Sequence, residues 1–336
     1  MRICVCGGGG LGHTCAGVLS NRSGVIVDML TSRPEKWNHE FVVNKPEGER
    51  LIGKLDVITA NPQEVIPNAD LVFFCLPAFL MEKEILKIKP YLRKDTLVGS
   101  VVGNTGFFIY CHQHLLKESK IFSFQRVPYI SRIVDYGKEA NLLGYRDKLI
   151  MAVENVEDRE LFRSRVEGLF GEQVELADSF YEVTLSNSNP ILHTGRLYTM
   201  WKDWNNKPFD RCSLFYKEWT IEASRLELEM DKEFFALLKK LNVSTKHIAT
   251  LLEHYESNNA EEMTAKLQSI ASLSTILSPM KQIDNGWVPD IESRYFIEDF
   301  PYGLRIIYDL AKQSSINCPN IEKVYLWGIH FCNDVS

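Results

Sequence analysis

Residues 2–13, RICVCGGGGLGH, set a glycine-rich turn directly behind a short apolar strand at the start of the chain. Gly7, Gly9 and Gly12 fit the spacing G-x-G-x-x-G. In that pattern the first glycine permits a tight turn, the second lets the backbone approach a pyrophosphate, and the third lets the following helix pack on the strand. The run behind Gly12, HTCAGVLSN, is small and helix-compatible, so its free backbone N–H groups and positive dipole end would face bound phosphates. Gly7, Gly9, Gly10, Leu11 and Gly12 therefore form the expected dinucleotide-binding turn. An ordinary glycine-rich turn could carry the same letters; this one has a strand in front, a helix behind and a second apolar strand at 24–30.

Apolar runs continue to alternate with amphipathic segments: KLDVIT, DLVFFCLP, TLVGSVV and KIFSF follow the first two. That rhythm predicts a parallel sheet covered by helices on both faces, completed by a strand KLIMAVE and a helix DRELFRSRVEGLFG. From Asp178 onward the segments are long and helical, broken by Pro, Gly, Asn and Asp at 202–212 and 278–303. A chain of 336 residues exceeds what one core usually holds. The expectation is an α/β Rossmann-type, doubly wound parallel sheet over residues 1–177, followed by an all-α domain over residues 178–336.

Composition removes several classes of function. The longest apolar stretches fall well short of the roughly 20 residues that span a membrane, and the first residues lack the order of a secretion signal, so a cytoplasmic protein is expected. A formal charge of −6 without a Lys/Arg block argues against a nucleic-acid partner. The eight cysteines are scattered and imply no disulfide framework. Cys111, His112 and His114 have a metal-like look but no second ligand pair at matched spacing, so no metal is expected.

The end of the second strand selects the cofactor. An Asp or Glu there would accept from both adenosine ribose hydroxyls and favour NAD, but the residues are Leu30, Thr31, Ser32 and Arg33. Ser32 can donate and Arg33 can pair with a 2′-phosphate, so NADP is favoured, with NAD kept open because Arg33 also reads as a solvated loop arginine before Pro34. Pro77, in CLPAF, would stop the fourth strand beside the cofactor. Gly103, Asn104 and Gly106 would form the next loop at the carboxyl edge, or simply a turn.

The second half concentrates polar residues on a stretch that should be a packed helix, SNSNPILHTGR within 179–201. Pro190 predicts a kink there, and Ser186, Asn189, His193 and Arg196 recur at spacings of three and four, on one face. A helical histidine is often only a satisfied polar residue, but one beside Ser, Asn and a helix-breaking proline also suits catalysis. In ESRYFIEDFPYGL, 292–304, Arg294, Glu298 and Asp299 stand among aromatics, which suggests a lined pocket or an internal ion pair. Tyr198, Trp201 and Trp204 read as pocket walls or as core.

At these residues the sequence resembles the opine dehydrogenases related to octopine and nopaline dehydrogenase. GGGGLGH is similar to that family's opening, with Leu11 where a glycine is usual. QRVPYISR, 125–132, resembles its LPY-containing segment without the preceding acidic and threonine residues. NPILH resembles its N-P-x-x-H helix, and RYFIEDFPYGL its R-Y-x-x-E-D-x-P-x-G-L signature. The resemblance covers most of the chain and implies a helical domain like the C-terminal one of 6-phosphogluconate dehydrogenase.

It implies His193 as acid/base, Asp299 as its partner, and Arg294 as the carboxylate anchor, with Asn189 beside the substrate. Elementary chemistry agrees with these roles. An imidazole titrates near neutral pH, a carboxylate on its other nitrogen fixes the tautomer, and a guanidinium grips a carboxylate with a bidentate fork. The implied reaction is NAD(P)H-dependent reductive condensation of an amino acid with a 2-oxo acid through an imine. A plain 2-oxo acid or ketopantoate-type reductase is the second reading, although such relatives lean on a lysine in the helical domain and the corresponding polar helix offers none until Lys202. A cofactor-binding sensor without chemistry is the third. The sequence names neither substrate and leaves the oligomeric state open, a homodimer included.

Overall fold

The computed structural model describes residues 1–104 and 106–333. The chain forms two compact units, Met1–Thr184 and Leu185–Ser336. The division falls after the 177/178 boundary read from the sequence, because the helix Phe180–Thr184 buries Val183 in a core of the sheet unit.

In the first unit the order is β1 (Arg2–Cys6), α1 (Gly10–Ser20), β2 (Ile26–Leu30), β3 (Glu40–Asn44), β4 (Arg50–Lys54), β5 (Ile58–Thr59), α2 (Pro62–Val65), β6 (Leu71–Phe74) and α3 (Ala78–Ile88). There follow β7 (Leu97–Ser100), α4 (Phe107–His114), β8 (Lys120–Phe124), β9 (Tyr129–Asp135), β10 (Glu139–Tyr145), β11 (Lys148–Glu154), α5 (Arg159–Phe170), β12 (Gln173–Leu176) and α6 (Phe180–Thr184). The main sheet has the order β12-β11-β8-β7-β6-β1-β2-β5 and is parallel except where β11 meets β8. Its strands bury both faces, as the continuous apolar runs require: Ile3 and Val5 face one core, Cys4 and Cys6 the other.

A second sheet, β4-β3-β10-β9, is absent from the sequence reading. Its strands are short and lie far apart in sequence, and the link between them is the parallel pairing of Val42–Asn44 with Glu139–Asn141. It sandwiches α1 against the main sheet. Every residue from Gly12 to Leu19 is consequently buried, which explains why that helix is built of small side chains; a Cβ on Gly17 would stand 2.5 Å from Val43. Local signals elsewhere hold: Asp158 caps α5 through the N–H of Leu161 at 2.8 Å, and Gly171 ends it in the left-handed region.

The second unit comprises α7 (Asn189–Trp201), α8 (Ile221–Lys240), α9 (Leu251–His254), α10 (Ala260–Ser269), a hairpin β13 (Met280–Ile283) and β14 (Gly286–Pro289), α11 (Arg294–Ile297), α12 (Arg305–Gln313) and α13 (Pro319–Asn333). It is helical apart from that hairpin, which occupies part of a stretch read only as a helix breaker. Two expected helices are shorter than their periodicity suggested. The segment 179–201 is not one kinked helix: Pro190 sits in the first turn of α7, where its missing N–H costs nothing and its fixed φ helps the start. The segment from 213 turns helical only at Ile221, where the Thr220 side chain accepts from the N–H of Ala223. Among the described residues no helix is long and apolar enough to cross a membrane.

Candidate active site

The order of the main sheet reverses at β1, which pairs with β2 on one side and β6 on the other, and ligand crevices of open α/β sheets lie at the carboxyl ends of strands at such a point. The glycine turn occupies it. Gly7 has φ +116°, and a side chain there would press on the Cys75 carbonyl at 2.5 Å; one on Gly12 would strike the Gly7 carbonyl. A Cβ on Gly9, the cap of α1, would meet nothing within 4 Å. The cradle is thus closed below and open above, with Gly10 opening the helix and Leu11 packed on the core. Pro77 caps α3 beside it, after β6. Ser32 and Arg33 are exposed at the end of β2. Asp28, the nearby acid, faces elsewhere: it is buried against Arg2, and its raised pKa reflects burial opposed by that guanidinium. Gly103, Asn104 and Gly106 follow β7 at the same edge; Thr105 between them lies outside the described residues. His112 and His114 bond separate carboxylates, Glu154 at 2.6 Å and Glu82 at 2.7 Å. Among the described residues no His, Cys, Asp and Glu side chains gather in a metal-binding group of three or more.

In the helical unit His193 is enclosed. Its Nδ1 lies 2.8 Å from Oδ2 of Asp299 and its Nε2 2.8 Å from the Tyr216 hydroxyl, while the rings of Phe215, Tyr216 and Tyr295 pack around it. The carboxylate can only accept, so Nδ1 carries the proton and Nε2 accepts from Tyr216. Burial raises the pKa of Tyr216, and burial followed by the Asp299 charge raises that of Tyr295, so both hydroxyls stay protonated. Asp299 ends at a widened helical turn, Phe300–Leu304, in which the N–H of Leu304 reaches the Asp299 carbonyl at 2.7 Å. Pro301 has no N–H to continue an ordinary ladder, and such π-type turns cluster at functional sites. The two motifs separated by about a hundred residues of chain meet directly: a Cβ on Gly303 would stand 2.6 Å from Pro190 Cγ.

Tyr216 is the residue that sequence reading missed, since 213–220 passed as the start of a long helix. The signal available was Thr220, a good cap followed by the acidic Glu222. Arg196, one turn beyond His193, fastens this loop. Its guanidinium donates to the Glu218 carbonyl at 2.6 Å and lies over Trp219. Burial pushes its pKa down to about 10, opposed by Glu227, a fully buried carboxyl that burial drives upward. Ser186 falls outside α7, so only Asn189, His193 and Arg196 keep the predicted face. Asn189 opens α7, half-buried, one turn before the histidine. Arg294 is exposed and pairs with Glu298 at 2.6 Å. Trp201 stacks on Phe296 in the core, and the half-buried Tyr198 packs edge-on against Trp327.

A glycine-rich turn on a doubly wound sheet, in a chain that also carries a buried histidine paired with an aspartate on a helical unit, defines a dinucleotide-dependent oxidoreductase. Residues 176–332 match the NAD/NADP octopine/nopaline dehydrogenase alpha-helical domain. Residues 3–103 match the ketopantoate reductase PanE/ApbA family. Tauropine dehydrogenase of Arabella iricolor is 26% identical over 97% of this chain and 90% of its own, and octopine dehydrogenase of Mizuhopecten yessoensis is 26% identical over 97% and 89%. A solved octopine dehydrogenase in complex with NADH and agmatine has a TM-score of 0.84 at 25% identity, covering 98% of this chain and 88% of that one.

Proposed function

We propose that this chain is an NAD(P)H-dependent opine dehydrogenase-like oxidoreductase that condenses an amino acid with a 2-oxo acid and reduces the resulting imine. The hydrogen-bonded pair of buried His193 and Asp299, on the two motifs most specific to the family, carries the reading. It is supported by relatives named tauropine and octopine dehydrogenase, and by octopine dehydrogenase structures with NADH and pyruvate or L-arginine.

The residues of the glycine turn fit a dinucleotide, since Gly7 and Gly12 are closed to any side chain and Gly9 is open to a ligand. Gly7, Gly9, Gly10, Leu11, Gly12 and Pro77 would hold it, with Ser32 and Arg33 at the ribose; the bound nicotinamide supplies the hydride. With no carboxylate free at the end of β2, the finer proposal is NADPH ahead of NADH. His193 is the acid/base: Asp299 holds its Nδ1 proton, so that Nε2 exchanges a proton with the substrate through the Tyr216 hydroxyl. Arg294 anchors the oxo acid by exchanging Glu298 for the substrate carboxylate, and Asn189 offers its carboxamide from the same face as His193. All eight cysteines are free thiols, which suits the proposed cytoplasmic location.

NADPH and NADH oxidation, followed with a panel of 2-oxo acids with and without amino acids, tests this. Turnover is expected only with both substrates. The match of residues 3–103 to ketopantoate reductases favours one second reading, a simple 2-oxo acid reductase. Full activity with the oxo acid alone would establish that reading instead.

A further inference from the structure

The segment after β2 is gripped by a part of the molecule that the dinucleotide fold does not require. Arg33 stands 4.0 Å from the centre of the Tyr136 ring, in the turn that joins β9 to β10 of the second sheet. The Tyr136 hydroxyl lies 3.2 Å from Thr31 Oγ1 and directly over Gly8, where a Cβ would strike it. One side chain thus touches both the glycine turn and the residues that choose between cofactors.

The turn is pinned on two sides. His13 Nδ1 lies 2.8 Å from the Gly9 carbonyl, and His13 Nε2 accepts the Gly137 N–H at 2.8 Å, so a single tautomer joins phosphate turn to second sheet. Burial lowers the pKa of His13 and keeps it in the neutral form that can accept. The N–H of Asn38 donates to the Gly137 carbonyl at 3.0 Å, and a side chain on Gly137 would hit the Lys36 carbonyl. Trp37 stacks on the His13 ring at 4.0 Å. Tyr136 is held before any ligand arrives, and Arg33 rests on it with its guanidinium exposed.

We propose that Tyr136 is a specificity-determining residue: its ring holds Arg33 in place for the 2′-phosphate of NADPH. This rests on the dinucleotide reading and deepens it. A guanidinium resting on an aromatic face loses less freedom when it pairs with a phosphate, so the gain goes to the cofactor that carries that phosphate.

Fluorescence titration of the protein with NADPH and NADH, without substrates, reads the two dissociation constants; thermal melting of each variant checks its fold. Tyr136→Leu is expected to weaken NADPH about tenfold and leave NADH within about twofold. Tyr136→Phe, which keeps the ring, should restore the NADPH affinity. Arg33→Ala should match Tyr136→Leu, and the double variant should be no worse than Arg33→Ala alone. Equal weakening of both cofactors by Tyr136→Leu, or additive losses in the double variant, overturns the inference and leaves dinucleotide binding standing. Failure of the unaltered protein to bind either nucleotide overturns both.

Discussion

His13 in the sheet unit and His193 in the helical unit are both buried, and each has a partner on both ring nitrogens. The partners differ in kind. His13 is bonded to two backbone groups, which cannot titrate, and burial keeps its ring neutral: it is a strut between Gly9 and Gly137. His193 is bonded to a carboxylate and a phenol, both of which can change their hydrogen bonding as charge moves. Burial alone would not have told them apart. A histidine fixed to main chain holds geometry, and one fixed to ionisable side chains can move a proton.

Substitution should separate the two most sharply. His193→Ala is expected to lower kcat about 10²- to 10⁴-fold while leaving the NADPH dissociation constant unchanged, as steady-state rates and fluorescence titration would read. His13→Ala should do the reverse. Losing a buried ring and two hydrogen bonds should cost about 2–4 kcal/mol in denaturant unfolding and loosen the cofactor, and His13→Gln, which can still donate and accept, should recover part of both. Tyr216→Phe comes next, with kcat down about tenfold and cofactor affinity intact; unchanged kcat would show that the hydroxyl is only packing beside Nε2.

The smallest effect lies away from both histidines. Asp231 accepts the Leu251 N–H, and burial pushes its pKa up to about 6 from 3.8. An acid with a raised folded-state pKa binds more protons when folded, so its share of stability is full below about pH 4 and is lost as pH climbs toward 6 and above. Asp231→Asn should melt above the unaltered protein at pH 7, with the gap closing by pH 4. A gap that is constant with pH would assign the effect to packing.

Much of the sheet unit was readable because its signals are local. Gly7 and Gly12 are dictated by a turn and a contact within six residues, and the caps of α5, Asp158 and Gly171, flank its own apolar stripe. The second sheet escaped because β3 and β10 are short, separated by about ninety residues, and mean nothing until paired. Its nearest advance sign was the smallness of α1 on every side, which requires burial on two faces. In the helical unit NPILH and EDFPYGL marked His193 and Asp299 as chemistry-bearing, while Tyr216 stayed hidden ahead of a cap, Thr220, that starts a helix later than its periodicity suggested.

The sequence by itself determined the glycine turn, the alternating strands that position it, and the residue types at 193 and 299, since each depends on backbone preferences and neighbours along the chain. Only the tertiary structure decided what each histidine is joined to. His193 meets Asp299 across 106 residues and His13 meets Gly137 across 124. Contacts at such separations are formed by the closing of whole units, when Gly303 receives Pro190 and the second sheet folds over α1; no local preference encodes them.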